Sequence, residues 1–124
     1  MHAKSFISII VPVYNEAENI ELFLTGLDHQ LSTLDIDYEI VVVDDGSTDA
    51  TVEKVIRTAN PTSPDVTPIA CKLIQLSRNF GKELALTAGL ENAKGDAVIM
   101  MDGDSQHPLA LLSEMIMHWR AGYD

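Results

Sequence analysis

Val98-Ile-Met-Met-Asp102-Gly-Asp104-Ser-Gln106-His107-Pro108 is the stretch on which the reading of this chain turns. An apolar run that suits a buried strand stops on two carboxylates with one glycine between them, and a polar turn and a proline follow. A hard divalent cation such as Mg2+ takes one or two oxygen ligands from protein and the rest from phosphates and water, so carboxylates spaced i, i+2 are enough to begin such a site. Gly103 lets the backbone turn tightly and lets a phosphate approach closely. Asp-Gly equally suits an ordinary solvated turn after a strand. The rest of the chain decides between the two.

The same arrangement recurs along the chain. Phe6-Ile-Ser-Ile-Ile-Val-Pro-Val13 is a β-branched run that predicts a strand buried on both faces. Tyr14-Asn-Glu16 ends it, and Ile20, Phe23, Leu24, Leu27 and Leu31 predict a helix from Ala17 to about Leu34. Tyr38 to Val43 is a second strand, stopping on Asp44-Asp-Gly-Ser-Thr-Asp49, with a helix over Ala50 to Ala59. The segment Asn60 to Ala70 carries Pro61, Pro64 and Pro68 and reads as a surface connection. Lys72 to Leu76 is a third strand, Ser77 to Lys82 a polar loop, and Glu83 to Ala93 a third helix. Ala97 to Met101 is the fourth strand, and Leu109 to about Ala121 a fourth helix.

Strands alternating with helices predict an α/β fold with a mostly parallel sheet flanked by helices. In such sheets ligands bind outside the carboxyl ends of the strands. The polar clusters at Tyr14 to Glu16, Asp44 to Ser47, Ser77 to Asn79 and Asp102 to Asp104 all follow strands, so they are expected to share one edge. That favours a binding site over four unrelated turns.

The 124 residues make one domain, and 46% hydrophobic content is globular. A formal charge of −11 argues against nucleic acid as a partner, which calls for a positive patch. It also means that a phosphorylated ligand needs a cation to bridge like charges. A single cysteine, Cys71, excludes an internal disulfide and a thiolate zinc cluster. No run approaches the ~20 apolar residues that span a bilayer, and Met1 to Ser5 lacks a secretory segment. A cytoplasmic location is expected. Ala121-Gly-Tyr-Asp124 looks like a helix end running into something further, which suggests a chain cut from a longer one.

Neither Gly-x-Gly-x-x-Gly after the first strand nor Gly-x-x-x-x-Gly-Lys-Ser/Thr is present, so a dinucleotide dehydrogenase or P-loop enzyme is disfavoured. The absence of Gly-x-Ser-x-Gly removes the usual serine hydrolase of this fold class. Acid-plus-metal chemistry remains. Here four ordered motifs carry a resemblance: Ile10-Val-Pro-Val-Tyr-Asn-Glu16, Val42-Val-Asp-Asp-Gly-Ser-Thr-Asp49, Leu76-Ser-Arg-Asn-Phe-Gly-Lys82 and Met101-Asp-Gly-Asp-Ser-Gln-His-Pro108. Together they resemble the family 2 glycosyltransferases of the GT-A (Rossmann-like) fold. The third and fourth motifs are similar to the branch that glycosylates a polyprenyl phosphate, the dolichol-phosphate mannose synthases and undecaprenyl-phosphate glycosyltransferases.

The resemblance implies a metal-dependent, inverting enzyme that binds a UDP- or GDP-linked sugar, with 1–124 as its nucleotide-sugar-binding part. It implies Pro12, Tyr14 and Glu16 around base and ribose, Asp44 or Asp45 on the base, and Arg78 and Lys82 toward phosphates or sugar. Asp102 is implied at ribose or metal, and Asp104 with Gln106 at a Mg2+ or Mn2+ that bridges the diphosphate. It further implies a lipid-phosphate acceptor, and a full-length protein at the cytoplasmic face of a membrane. The acceptor half and its general base are expected beyond Asp124, so no catalytic base is named and the fragment is expected to bind donor without turnover. Gly103 and Ser105 stand where alanine and leucine are expected.

Plainer readings stand beside these. Tyr14 suits a half-buried aromatic, Glu16 an acid stabilised at a helix N-terminus, and Asp44 and Asp49 helix caps, the structural role being favoured for Asp49. Arg78 and Lys82 suit ion pairs with the acids. As alternatives for the whole chain, the residues leave open a non-catalytic nucleotide-binding module and a Mg2+-dependent phosphoacceptor domain. An open sheet edge would allow a homo-oligomer.

Overall fold

The computed structural model describes residues 6–102, 112 and 114–117. Four strands, β1 (Phe6–Val13), β2 (Asp37–Asp44), β3 (Cys71–Gln75) and β4 (Ala97–Met100), alternate with helices α1 (Ile20–Ser32), α2 (Thr51–Ala59) and α3 (Lys82–Asn92). Residues 112 and 114–117 are also helical, within the fourth predicted helix. All three strand pairings are parallel, in the order β3-β2-β1-β4. Every strand carboxyl end therefore lies on one edge, as the alternation predicts.

β1 and β2 take the centre because they are almost wholly apolar. Ile7, Ile9, Ile10, Val11, Ile40, Val41, Val42 and Val43 have no exposed surface, and burying each such side chain contributes about 1.5–3 kcal/mol. Alternate residues face opposite sides of the sheet. Ile7, Ile9, Val11, Ile40 and Val42 pack with α1 residues Ile20, Phe23, Leu24, Leu27 and Leu31 and with Val55 of α2. Ile10, Val41 and Val43 face Ala85 of α3. Small residues bring α3 close: a Cβ at Gly89 would lie 2.5 Å from Ile10 Cγ2. From β3 the chain crosses on the α3 face to β4, on the far side of β1. The strand order thus reverses between β1 and β4, which is where open α/β sheets form their ligand crevice.

α1 begins at Ile20, three residues later than the periodicity from Ala17 predicts, because residues 15–17 give their N–H groups to the loop after β2 and to the first residue of α2. Asn15 takes a left-handed φ of 50° and donates its N–H to Ser47 Oγ, while Glu16 N–H goes to Thr51 Oγ1 and Ala17 N–H to Asp49 Oδ2. Asp49 also accepts from Thr51 N–H and its hydroxyl, a brace between the two loops in place of the expected helix cap, since the N-cap of α2 is Ala50 and has no side-chain cap bond. The hydroxyl bond from Thr51, with the backbone N–H groups, holds the Asp49 carboxyl below its ordinary range.

A second polar cluster ties the opposite edge of the sheet. Glu39 Oε2 accepts from Ser8 Oγ at 2.6 Å and Lys94 N–H at 2.8 Å, while Lys72 Nζ pairs with Glu39 Oε1 at 2.8 Å. Ser8 Oγ in turn accepts from Gly95 N–H. Burial pushes the Glu39 carboxyl up, but the Lys72, Ser8 and Lys94 hydrogen bonds outweigh it and hold the group below its ordinary value. Cys71, in β3, is partly covered, and burial pushes its thiol up to about 11. It is thus an unreactive thiol at neutral pH. Among the described residues no helix is long and apolar enough to cross a membrane.

Candidate donor site

At the reversal between β1 and β4 lies a cleft of about 200 Å³, lined by Pro12, Val13, Tyr14, Glu16, Asp45, Lys82 and Asp102. Each side chain arrives by its place in the sheet. β1 ends at Pro12 and Val13, and Tyr14 follows with 44% of its surface exposed. Met101 N–H continues the β1–β4 ladder to Ile10 O, which brings Asp102 alongside Pro12. Asp45 N–H bonds Val13 O at 2.9 Å, so β2 delivers its second aspartate beside β1. Lys82 is the first residue of α3, and its ammonium forms an ion pair with Asp102. The acid pairing and the cleft position that the sequence leaves as alternatives for Lys82 are therefore both present.

Of the eight sequence-predicted donor residues, Pro12, Tyr14, Glu16, Asp45, Lys82 and Asp102 converge here, while Asp44 and Arg78 are not in the lining. Asp44 is buried; its Oδ2 accepts Ser47 N–H at 3.1 Å and its Oδ1 has no hydrogen-bond partner. Arg78 lies on the exposed loop after β3 with its guanidinium 4.8 Å from the Phe80 ring centroid, a cation–π contact. Asp104 and Gln106 lie outside the described residues, as do Ser105, His107 and Pro108.

Two features of the site escape the sequence reading. An adjoining hollow of about 290 Å³ shares Pro12, Lys82 and Asp102 with the cleft and adds Leu86, Met100 and Met101. β4 lies at the described sheet edge, and Met100 is half exposed there. The second is the stitching of the loops after β1 and β2, in which Thr48 N–H also bonds Asn15 Oδ1. An asparagine two residues past a strand is its one sequence signal, since Asn tolerates the left-handed conformation.

The chemistry of the lining suits a hard cation. Asp102, Glu16 and Asp45 are oxygen donors, and Mg2+ or Mn2+ needs only one or two carboxylates when a diphosphate supplies further oxygens. Among the described residues no three His, Cys, Asp or Glu side chains gather as a closed metal cage. Asp102 is the carboxylate of the cleft that could hold such a cation.

A parallel sheet with acids at its reversal point and a cleft beside them defines an α/β ligand-binding domain. Residues 8–124 match the family model "Glycosyl transferase family 2", and the chain belongs to that family. A bactoprenol glucosyl transferase of Shigella phage SfV is 42% identical over 118 residues, covering 95% of this chain and 36% of that protein. Among solved structures, a mannosyltransferase from Pyrobaculum calidifontis, in complex with GDP-Man and Mn2+, is 36% identical with a TM-score of 0.66, covering 82% of this chain and 28% of that one. S. aureus TarS 1–349 in complex with UDP-GlcNAc is 29% identical with a TM-score of 0.69, covering 93% of this chain and 31% of that one. The fold is thus the GT-A fold of these enzymes. The chain spans about a third of the length of the curated relatives it matches.

Proposed function

We propose that this chain is the donor-binding part of a metal-dependent, inverting glycosyltransferase that moves a sugar from a UDP- or GDP-linked donor to a polyprenyl phosphate. The observation that carries the reading is the convergence of Pro12, Tyr14, Glu16, Asp45, Lys82 and Asp102 on one cleft at the strand reversal. Similarity to a bactoprenol glucosyl transferase supports the lipid-phosphate acceptor.

In this reading Pro12 and the half-exposed ring of Tyr14 offer a flat wall for base and ribose. Asp102 orients the ribose and diphosphate end of the donor, and Lys82 exchanges its pairing with Asp102 for the diphosphate oxygens. A bound Mg2+ or Mn2+ would supply Lewis-acid stabilisation of the leaving group without proton transfer. An acceptor phosphate oxygen bonds to the anomeric carbon while the bond from that carbon to the diphosphate breaks. The diphosphate keeps the electron pair, and attack from the opposite face inverts the centre. The Lys82 ammonium stabilises the charge that develops on the departing diphosphate. Any base for the acceptor must lie within hydrogen-bond reach of that oxygen.

The test is transfer of labelled sugar from UDP-glucose or GDP-mannose to undecaprenyl or dolichyl phosphate, scored in the organic phase. Label is expected from a longer protein that joins this chain to an acceptor-binding part, and is expected to vanish with Asp102→Asn. Transfer unaffected by Asp102→Asn would contradict the reading.

A further inference from the structure

Tyr14 and Glu16 both line the cleft, and the residue between them faces a neighbouring loop instead. Asn15 is exposed, with its backbone at a left-handed φ of 50°. Its own N–H donates to Ser47 Oγ at 2.9 Å. Its side-chain Oδ1 accepts the Thr48 N–H at 2.8 Å and, more weakly at 3.4 Å, the Thr48 hydroxyl. Main chain and side chain of Asn15 therefore both bond the loop after β2.

The residues on either side are anchored to the same region. Val13 O accepts the Asp45 N–H, Glu16 N–H donates to Thr51 Oγ1 at 2.9 Å, and Lys54 Nζ donates to Ala17 O at 2.9 Å. Between these anchors, the directions in which Tyr14 and Glu16 leave the backbone depend on the φ of the residue that separates them. A left-handed φ is uncommon outside glycine and is best tolerated by asparagine and aspartate. The amide oxygen, accepting from the opposite loop, holds it there.

We propose that Asn15 is a positioning residue for the base and ribose end of the donor: its bonds to Ser47 and Thr48 fix the left-handed turn that presents Tyr14 and Glu16 to the cleft. The inference rests on the donor-cleft reading above, in which Pro12 and Tyr14 form the wall for base and ribose. Asn15 itself touches no part of the donor. It keeps the wall formed before the ligand arrives, which lowers the ordering cost of binding.

Three substitutions separate the contributions. Asn15→Ala removes both the acceptor and the tolerance of a left-handed φ. Asn15→Gly keeps the tolerance and removes the acceptor. Asn15→Asp keeps both, since a carboxylate accepts the same N–H and hydroxyl. Each variant and the unsubstituted protein, with saturating Mn2+, are titrated calorimetrically with UDP, with GDP and with inorganic pyrophosphate, which has the phosphates without a base.

Asn15→Ala and Asn15→Gly are expected to weaken the preferred nucleotide about tenfold, the scale of one hydrogen bond, and Asn15→Asp to restore it to within about threefold. Pyrophosphate affinity is expected to stay within about twofold in all three, which also reports that the variants are folded. Equal loss on both ligands would overturn the assignment to the base end, because a general loosening acts on every ligand. Nucleotide affinity unchanged in Asn15→Gly would overturn the role of the side chain, and so would failure of Asn15→Asp to restore it.

Ser47→Ala gives a second route from the other side of the joint. It withdraws the acceptor of the Asn15 N–H and leaves Asn15 in place. It too is expected to weaken the nucleotide and spare pyrophosphate, and equal loss on both would count against the proposal in the same way. Failure of the unsubstituted protein to bind either nucleotide would bring down the donor-cleft reading, and this inference with it.

Discussion

Lys82 and Asp102 meet across the cleft as an ion pair with 60% and 31% of their side-chain surfaces exposed. Solvent screens a pair so exposed, which adds little to stability; the site gains instead an ammonium already aimed at the cleft. Lys82→Met is therefore expected to leave the melting temperature within about 2 °C, since surface changes stay near 0.5 kcal/mol. It is expected to weaken binding of a Mn2+–nucleoside diphosphate about tenfold, the size of a lost charged hydrogen bond. Calorimetry with UDP and GDP checks the second half, and unchanged affinity would exclude Lys82 from the diphosphate. Gly46 has the opposite character. Its left-handed φ and the 2.4 Å approach of the Arg78 and Asn79 backbone leave no room for a methyl group. Gly46→Ala is expected to lower stability by about 1–3 kcal/mol in urea unfolding, and an undiminished midpoint would contradict the packing described.

Among the elements, the cluster on Glu39 links β1, β2, β3 and the turn before β4, so it sets how β4 lies against the sheet. The Glu39 carboxyl is held below its ordinary value of 4.5 in the folded protein. Its contribution is therefore fully present above that value and is lost as the pH falls through the lower, folded-state value. Glu39→Gln is expected to cost about 1–3 kcal/mol at pH 7, where Lys72 loses its charged partner. Below pH 4.5 the difference from the unsubstituted protein is expected to shrink, and thermal melts between pH 3 and 7 read both effects. A difference that stays constant across that range would rule out the ion pair as its origin. Asp49 is depressed in both proteins and cancels from the comparison.

The elements themselves were legible because β1 and β2 are unbroken β-branched runs and α1 has apolar residues at helical spacing. Their joints were not. The start of α1 depends on N–H groups captured by Ser47, Asp49 and Thr51, some 30 residues away, and no local pattern encodes a partner at that distance.

For the molecule as a whole, alternation of strands and helices was enough to put the four polar clusters on one edge. Chemistry then marked Pro12, Tyr14, Glu16, Asp45, Lys82 and Asp102, which the fold brings to one cleft. What the sequence left open was the division of labour between Asp44 and Asp45, because neighbouring residues of a strand end differ only in which way they point. One is buried with an unpartnered oxygen and the other lines the cleft. Charge is also a property of this scale. At −11 overall, the protein repels a diphosphate unless a cation intervenes, so donor binding should depend steeply on metal.

Calorimetric titration of UDP and of GDP, with and without Mn2+, into this protein and into Asp102→Asn tests that most directly. One nucleotide is expected to bind only in the presence of Mn2+, and that binding to be lost in Asp102→Asn. Binding that ignores both the metal and the substitution, or no binding under any of these conditions, would contradict it.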